Sequence, residues 1–278
     1  MLQVIPTYRM KYKSGVPIVL IPIFDIHWGE SACDESALKK MLKETNSKQT
    51  LYIGGGDWAS SIITRDIKRY RKAGDTTKGD AIIDEQVDTL YDIFNPYREH
   101  IIGIGEGNHE DKIWIDCGTN PIKRLCEKLS TKTNIIPFLG ISGLFRLMLR
   151  SDIDGDGRTL IIRYHHGWGG GSRTRGGSLT KYANDMGGYD ADIYLYGHDH
   201  KLIYDCTPRL GVSPSGKLVS RAQHLLLCGT YLKTYSDKVD PTYSEKKGYL
   251  PTRIGSPIIE IIPWHSGSKN GTKVKVTT

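Results

Sequence analysis

The sequence predicts an α/β protein, and three observations carry that prediction. Short apolar runs rich in β-branched residues recur at residues 17–24, 51–53, 101–104 and 192–196, the pattern of strands buried on both faces. Amphipathic helical stretches separate the first of them. Each run stops in Gly, Asp, Asn or His, and α/β proteins place their ligands at the carboxyl ends of strands.

The first strand, 17–24, ends at Asp25-Ile26-His27. Alternation along an extended chain would put Asp25 and His27 on one side, able to face a single ion. A helix over residues 34–45 follows, with Leu38, Met41 and Leu42 on one face. Leu51-Tyr52-Ile53 then runs into Gly54-Gly55-Gly56-Asp57. Neither this glycine cluster nor Gly103-x-Gly105-x-Gly107 has the spacing of a dinucleotide loop.

Residues 61–80 form a basic insertion with Arg65, Lys68, Arg69, Arg71 and Lys72 around Tyr70. Such a stretch is either a solvated face or a patch for a phosphate backbone. Helical spacing from Ala81 to Phe94 closes at Pro96 and returns the chain to the strand 101–104. That strand leads into Gly105-Glu106-Gly107-Asn108-His109-Glu110, read as a loop offering an amide, an imidazole and a carboxylate in succession. Asn120 as N-cap and Pro121 at the first helical position open the next helix, which places Cys126 in the core.

Beyond it, residues 143–150 and 158–164 read as strands joined through Asp152-Ile153-Asp154-Gly155-Asp156-Gly157. The twelfth position of that stretch is Arg163 and not the Glu of a calcium loop, so a hairpin turn is expected. The second of these strands ends at His165-His166-Gly167. A Gly/Arg loop over 167–177 contains Arg173 and Arg175, whose planar guanidinium groups suit a phosphate. A helix is expected over Ser178–Met186, and the strand 192–196 ends at Gly197-His198-Asp199-His200. Further strands are expected at 201–206, 223–228 and 257–262. One domain is read over residues 1–265, and the polar, basic tail 266–278 is expected to lack regular structure.

Composition narrows the function classes. Hydrophobic residues are 38% and charged residues 25% of the 278, and no apolar run approaches bilayer length, so a soluble protein without a membrane partner is expected. The net charge of +7 favours anionic partners. Five widely spaced cysteines, Cys33, Cys117, Cys126, Cys206 and Cys228, form no Cys-x-x-Cys pair; this argues against a disulfide framework or zinc ribbon and fits a reducing cytoplasm. The apolar residues 16–24 could pass for a signal sequence, but two prolines and the adjacent Asp25 and His27 oppose that reading.

Asp25, His27, Asp57, Asn108, His166, His198 and His200 thus come from five strand ends. Mixed oxygen and imidazole donors suit first-row transition metals, and seven are too many for one ion. In order, Asp-x-His, Gly-Asp, Gly-Asn-His-Glu, His-Gly and Gly-His-x-His resemble the calcineurin-like metallophosphoesterases over about residues 20–205. The resemblance implies a four-layered α/β/β/α sandwich of two mixed sheets with a dinuclear site at the strand ends. It implies Asp25, His27 and His200 on one metal, Asn108, His166 and His198 on the other, Asp57 bridging, and His109 as general acid. Manganese is the expected metal, with iron, zinc, nickel and magnesium as alternatives. One departure is informative: Asp57 is followed by Trp58-Ala59-Ser60-Ser61, without the Asp and Arg that follow it in the protein serine/threonine phosphatases. The pattern is therefore closer to the nuclease and phosphodiesterase branch, with Arg173 or Arg175 replacing the missing arginine. Glu110 or Asp111 is left to orient His109. The expected substrate is a phosphodiester, with DNA or RNA favoured; a phosphomonoester or nucleotide is the alternative, and a non-catalytic nucleic-acid-binding subunit is the alternative outside enzymes.

Overall fold

A computed structural model describes residues 5–66, 70, 75–77, 81–151, 157–172, 174, 176–235, 241–266 and 269–278. Among them the chain forms twelve strands and six α-helices. The strands are β1 (Thr7–Tyr12), β2 (Ile18–Ile23), β3 (Thr50–Gly55), β4 (Ile101–Gly105), β5 (Phe138–Gly140), β6 (Ser142–Ser151), β7 (Gly157–His165), β8 (Ile193–Tyr196), β9 (Leu202–Val212), β10 (Leu218–Cys228), β11 (Ile258–Ser266) and β12 (Lys269–Thr277). The helices are α1 (Glu35–Thr45), α2 (Ile82–Phe94), α3 (Asn108–Cys117), α4 (Pro121–Leu129), α5 (Gly177–Met186) and α6 (Tyr243–Lys246).

Two mixed six-stranded sheets result, ordered β1-β6-β7-β8-β10-β9 and β12-β11-β2-β3-β4-β5. Their facing sides share one core. Leu20, Leu51, Ile53 and Ile102 from the second sheet meet Phe145, Leu147, Ile162, Ile193, Leu195 and Leu226 from the first. The alternate residues of β2 and β3, Ile21, Ile23 and Tyr52, turn outward against α1, α2 and α4 through Leu38, Leu42, Val87, Leu90, Phe94 and Leu125. On the far side, Tyr194, Tyr196, Leu225 and Leu227 pack on Tyr182 and Met186 of α5. The order is therefore helix, sheet, sheet, helix, which is why the central strands are apolar on both faces.

Local chemistry sets the helix starts. Asp34 caps α1 by accepting from Ala37 N at 3.0 Å, and Asn120 caps α4 by accepting from Lys123 N at 2.9 Å with Pro121 behind it. Three expectations need correction. The motif read as a loop over 105–110 is a strand end followed directly by α3. The tail expected to lack structure forms β12, paired antiparallel with β11; its alternating Lys273, Val274, Lys275 and Val276 send Val274 and Val276 toward the inter-sheet core. The strand expected over 201–206 extends to Val212 in an exposed ribbon with β10. Strands β6 and β7 pair antiparallel as expected, while residues 152–156 between them lie outside the described residues. No helix among the described residues is long and apolar enough to cross a membrane.

Leu195 is fully buried between the sheets. Leu195→Ala should lower unfolding free energy by about 2–5 kcal/mol, read from the urea midpoint at constant slope; a loss under about 1 kcal/mol would show that the sheets do not share one packed core.

Candidate metal centre

The loops that follow β2, β3, β4, β7 and β8 converge at one end of the paired sheets. The first two continue beside one another after the strands stop: Asp25 N donates to Gly56 O at 3.0 Å, His27 N to Asp57 O at 2.9 Å and Trp28 N to Trp58 O at 2.8 Å. Trp58, fully buried, anchors this pair by donating from its indole to Ile23 O at 3.0 Å and stacking on Phe94.

Asp25 and His27 share a side for a different reason than strand alternation. β2 ends at Ile23, and both residues adopt left-handed backbone, φ 50° and 53°. Asp57, His198 and His200 do the same, at 50°, 69° and 54°. Non-glycine residues seldom take this conformation, and it concentrates at functional sites. The Asp25 backbone is held there by Thr230 Oγ1 and Tyr231 N, which both donate to its carbonyl, at 2.8 and 3.0 Å. Neither residue stood out in the sequence.

All seven candidate ligands meet. His27 Nε2 and His200 Nε2 are 3.1 Å apart, and each faces Asp25 Oδ1, at 3.8 and 3.3 Å. Asp57 Oδ2 lies 3.2 Å from His166 Nε2 and 3.9 Å from His27 Nε2. Asn108 Oδ1 lies 3.0 Å from His166 Nε2 and 2.8 Å from His198 Nδ1. Asp25 presents its other oxygen to His198 N at 2.9 Å. Asp25, His27, Asp57 and His166 are buried almost completely.

The donors fit a cation. Asp25 Oδ1 is buried with no hydrogen-bond partner, a costly arrangement for a carboxylate unless a positive charge compensates it. His166 Nδ1 faces Gly55 O at 3.1 Å, an acceptor only, so it carries hydrogen. Its Nε2 then faces only acceptors, Asp57 and Asn108, and must hold either a proton or a metal. Three overlapping donor groups span the cluster: Asp25, His27 and His200; His27, Asp57 and His109; Asp57, His166 and His198.

Electrostatics follows burial and these contacts. Burial, with His109 beside it, holds the His27 imidazole well below its ordinary range, which leaves its lone pair available. Burial would lower His166, but the adjacent Asp57 carboxylate pushes it up to about 10. Burial opposes ionisation of Asp57, yet His166 and His109 hold it well below the usual carboxylate range.

His109 stands at the rim. Its backbone N donates to Asp57 Oδ1 at 3.0 Å, its ring Nδ1 to Ser60 O at 2.6 Å, and its Nε2 lies 3.9 Å from Asp57 Oδ2. Glu110 does not touch the ring. It is fully buried and accepts from Asp57 N at 3.0 Å, Ala59 N at 3.0 Å and Gly107 N at 2.9 Å; burial and Asp57 push its carboxyl up to about 8 against those donors. Its support of His109 therefore runs through the 57–60 backbone. Gly107 admits this close packing, because a Cβ there would fall 2.1 Å from Asp57 Oδ1. Ser60 and the helix start at Asn108 were missed in the sequence. Glu at the third helical position and the left-handed Gly118 at the C-cap, φ 69°, are the signals that could have located α3. Arg173 and Arg175 lie outside the described residues, as do Lys68, Arg69, Arg71 and Lys72; Arg65 donates to Asp116 O at 3.1 Å.

No family model and no curated protein matches the chain. Among solved structures, vacuolar protein sorting 29 from Cryptosporidium parvum is 16% identical, covers 94% of this chain and 98% of its own, and superposes with a TM-score of 0.36. The Entamoeba histolytica protein of that name complexed with zinc is 14% identical over 93% of this chain and 98% of its own, at 0.34. A predicted phosphoesterase from Streptococcus pneumoniae is 11% identical over 94% of this chain and 99% of its own, at 0.31.

A metal taking His166 Nε2 would displace its proton, so loading metal-free protein with manganese near pH 7 should release protons. The release should shrink as pH approaches the value of about 10 to which His166 is raised. An indicator-dye titration showing metal uptake with no proton release would contradict this coordination.

Proposed function

We propose that this chain is a metal-dependent phosphoesterase that hydrolyses phosphodiesters, with nucleic acid as its substrate class. The observation that carries the reading is Asp57: one buried carboxylate oxygen lies between two groups of candidate donors, 3.9 Å from His27 Nε2 and 3.2 Å from His166 Nε2. Asp25, His27 and His200 would hold one ion, Asn108, His166 and His198 a second, and Asp57 would be shared between them. Two divalent ions there would supply a water acidified toward neutral pH and positive charge for the phosphoryl oxygens. Manganese is the proposed occupant, since oxygen and imidazole donors accept it readily.

The chain's own residues have distinct tasks. Glu110 keeps Asp57 aimed by binding its backbone N–H. Ser60 O fixes the His109 ring with hydrogen on Nδ1, so the transferable proton sits on Nε2, on the side facing Asp57. When the bond from phosphorus to the leaving oxygen breaks, its electron pair stays on that oxygen and the Nε2 proton neutralises it. The net charge of +7 supports a polyanionic substrate. Five free cysteines support a reducing, cytoplasmic setting. Seven converging donors support catalysis over a binding module.

With manganese present, bis-p-nitrophenyl phosphate, single-stranded DNA and RNA should be hydrolysed faster than p-nitrophenyl phosphate. Preference for the last would replace diesters by monoesters, and tight nucleic-acid binding without turnover would favour a binding subunit. Asp57→Ala should lose bound metal together with activity; metal content equal to wild type would refute its shared position. His109→Asn should keep the metal and lose about 10²–10⁴-fold in turnover on DNA, whereas wild-type turnover would remove it as proton donor.

A further inference from the structure

His109 is oriented by a neutral carbonyl, and the structure shows what holds that carbonyl. Gln86 of α2, only 1% exposed, reaches Ser60 and Ser61 with both ends of its amide, one on the peptide between them and one on the Ser60 hydroxyl. Its Oε1 accepts from Ser61 N at 3.0 Å, and its Nε2 donates to Ser60 Oγ at 3.0 Å. Ser60 N is fixed from the other side, donating to Trp28 O at 2.8 Å. The clamp keeps Ser61 in left-handed backbone, φ 51°, which serine adopts rarely.

Space for the amide is made by the backbone opposite. A Cβ on Gly29, whose φ is 99°, would fall 2.3 Å from Gln86 Nε2. The other buried positions of α2 are Val87, Leu90 and Phe94, all apolar. A helix face meeting a core has no need of an amide, and burying one is unfavourable unless both ends are bonded.

We infer that Gln86 is a positioning residue for proton transfer at His109. By fixing the 60–61 peptide it keeps the Ser60 carbonyl in line with Nδ1, 2.6 Å away, and thereby keeps Nε2 turned toward the leaving oxygen beside Asp57. Without it the peptide can rotate, the ring loses its acceptor, and the proton is no longer held on the reacting side. The inference rests on the phosphoesterase reading and adds a residue on α2, outside the loops that carry the candidate ligands. His109 gives its Nε2 proton to the oxygen released as the P–O bond breaks, and solvent reprotonates the ring; Gln86 exchanges no proton.

Leaving-group dependence tests it. p-Nitrophenolate departs without a proton, whereas the alkoxide of a dinucleoside monophosphate needs one, so the two diesters separate positioning of an acid from general damage to the fold. Gln86→Met, near in volume but without either hydrogen bond, should lower kcat on the dinucleotide about tenfold or more at unchanged KM. On bis-p-nitrophenyl phosphate the loss should be less than about threefold. In a His109→Asn background, Gln86→Met should cause no further loss on the dinucleotide. If Gln86→Met is unfolded at the assay temperature, Gln86→Asn, whose amide ends one carbon short, carries the same comparison. Equal losses on both diesters, persisting in the His109→Asn background, would overturn the inference while leaving the phosphoesterase reading intact. A wild-type protein that hydrolyses neither diester with manganese would overturn both.

Discussion

The Glu110 carboxylate is the interaction on which the site depends. Its two oxygens collect three backbone N–H groups, from Asp57, Ala59 and Gly107, and so bind the loop after β3 to the start of α3. The Asp57 side chain returns the contact by accepting from His109 N. Each loop thus holds the other by a side-chain carboxylate bound to its partner's backbone N–H groups. These three donors oppose, without cancelling, the burial and the Asp57 charge that push the Glu110 carboxyl up to about 8. Gly107 is the geometric condition for the arrangement, since any side chain there would occupy the space of Asp57 Oδ1.

Five of the seven candidate ligands sit in left-handed backbone, a conformation that costs of order 1–3 kcal/mol for a residue with a Cβ. Such a cost persists only where the surroundings over-determine the backbone. Asp25 is held by Gly56, Thr230 and Tyr231, and His27 by Asp57. The benefit is direction. A strand leaves its side chains perpendicular to the sheet, while a left-handed turn at the strand end swings the donor over the end of the sheet, where loops from both sheets can meet.

The strands and helices that bury an apolar pattern were legible in the sequence: β2, β3, β4 and β8 by their β-branched runs, α1, α2 and α4 by spacing and caps. β12 was not, because its alternation of lysine with valine reads as a polar tail until β11 supplies an edge to pair with. α3 was hidden because it buries only Glu110 and Ile113 and exposes Trp114 and Ile115, so no apolar stripe marks it. The convergence of the seven candidate ligands was legible because metal-donor residue types recur at strand ends. The groups that aim it, Ser60 O, Thr230, Tyr231 and Gln86, were not. Their contribution comes from backbone atoms or from residues that are ordinary until folding brings them within 3 Å.

The use of a carbonyl to orient His109 follows from the same crowding. Asp25, Asp57 and Glu110 already place three carboxyl groups in or against the cluster, all essentially buried. A fourth in contact with the His109 ring would add like-charge repulsion where the dielectric is low. It would also compete for the hydrogen-bond donors that keep Glu110 and Asp57 in place. A peptide oxygen accepts the Nδ1 proton equally well in direction and adds no net charge. Its weakness is that a peptide is free to turn, and the sequence meets that weakness with an amide on α2, a glycine to make room for it and a serine in an uncommon conformation. Orientation of the His109 ring is thus assigned to neutral groups, and the negative charge stays with the donor cluster, where a cation would meet it.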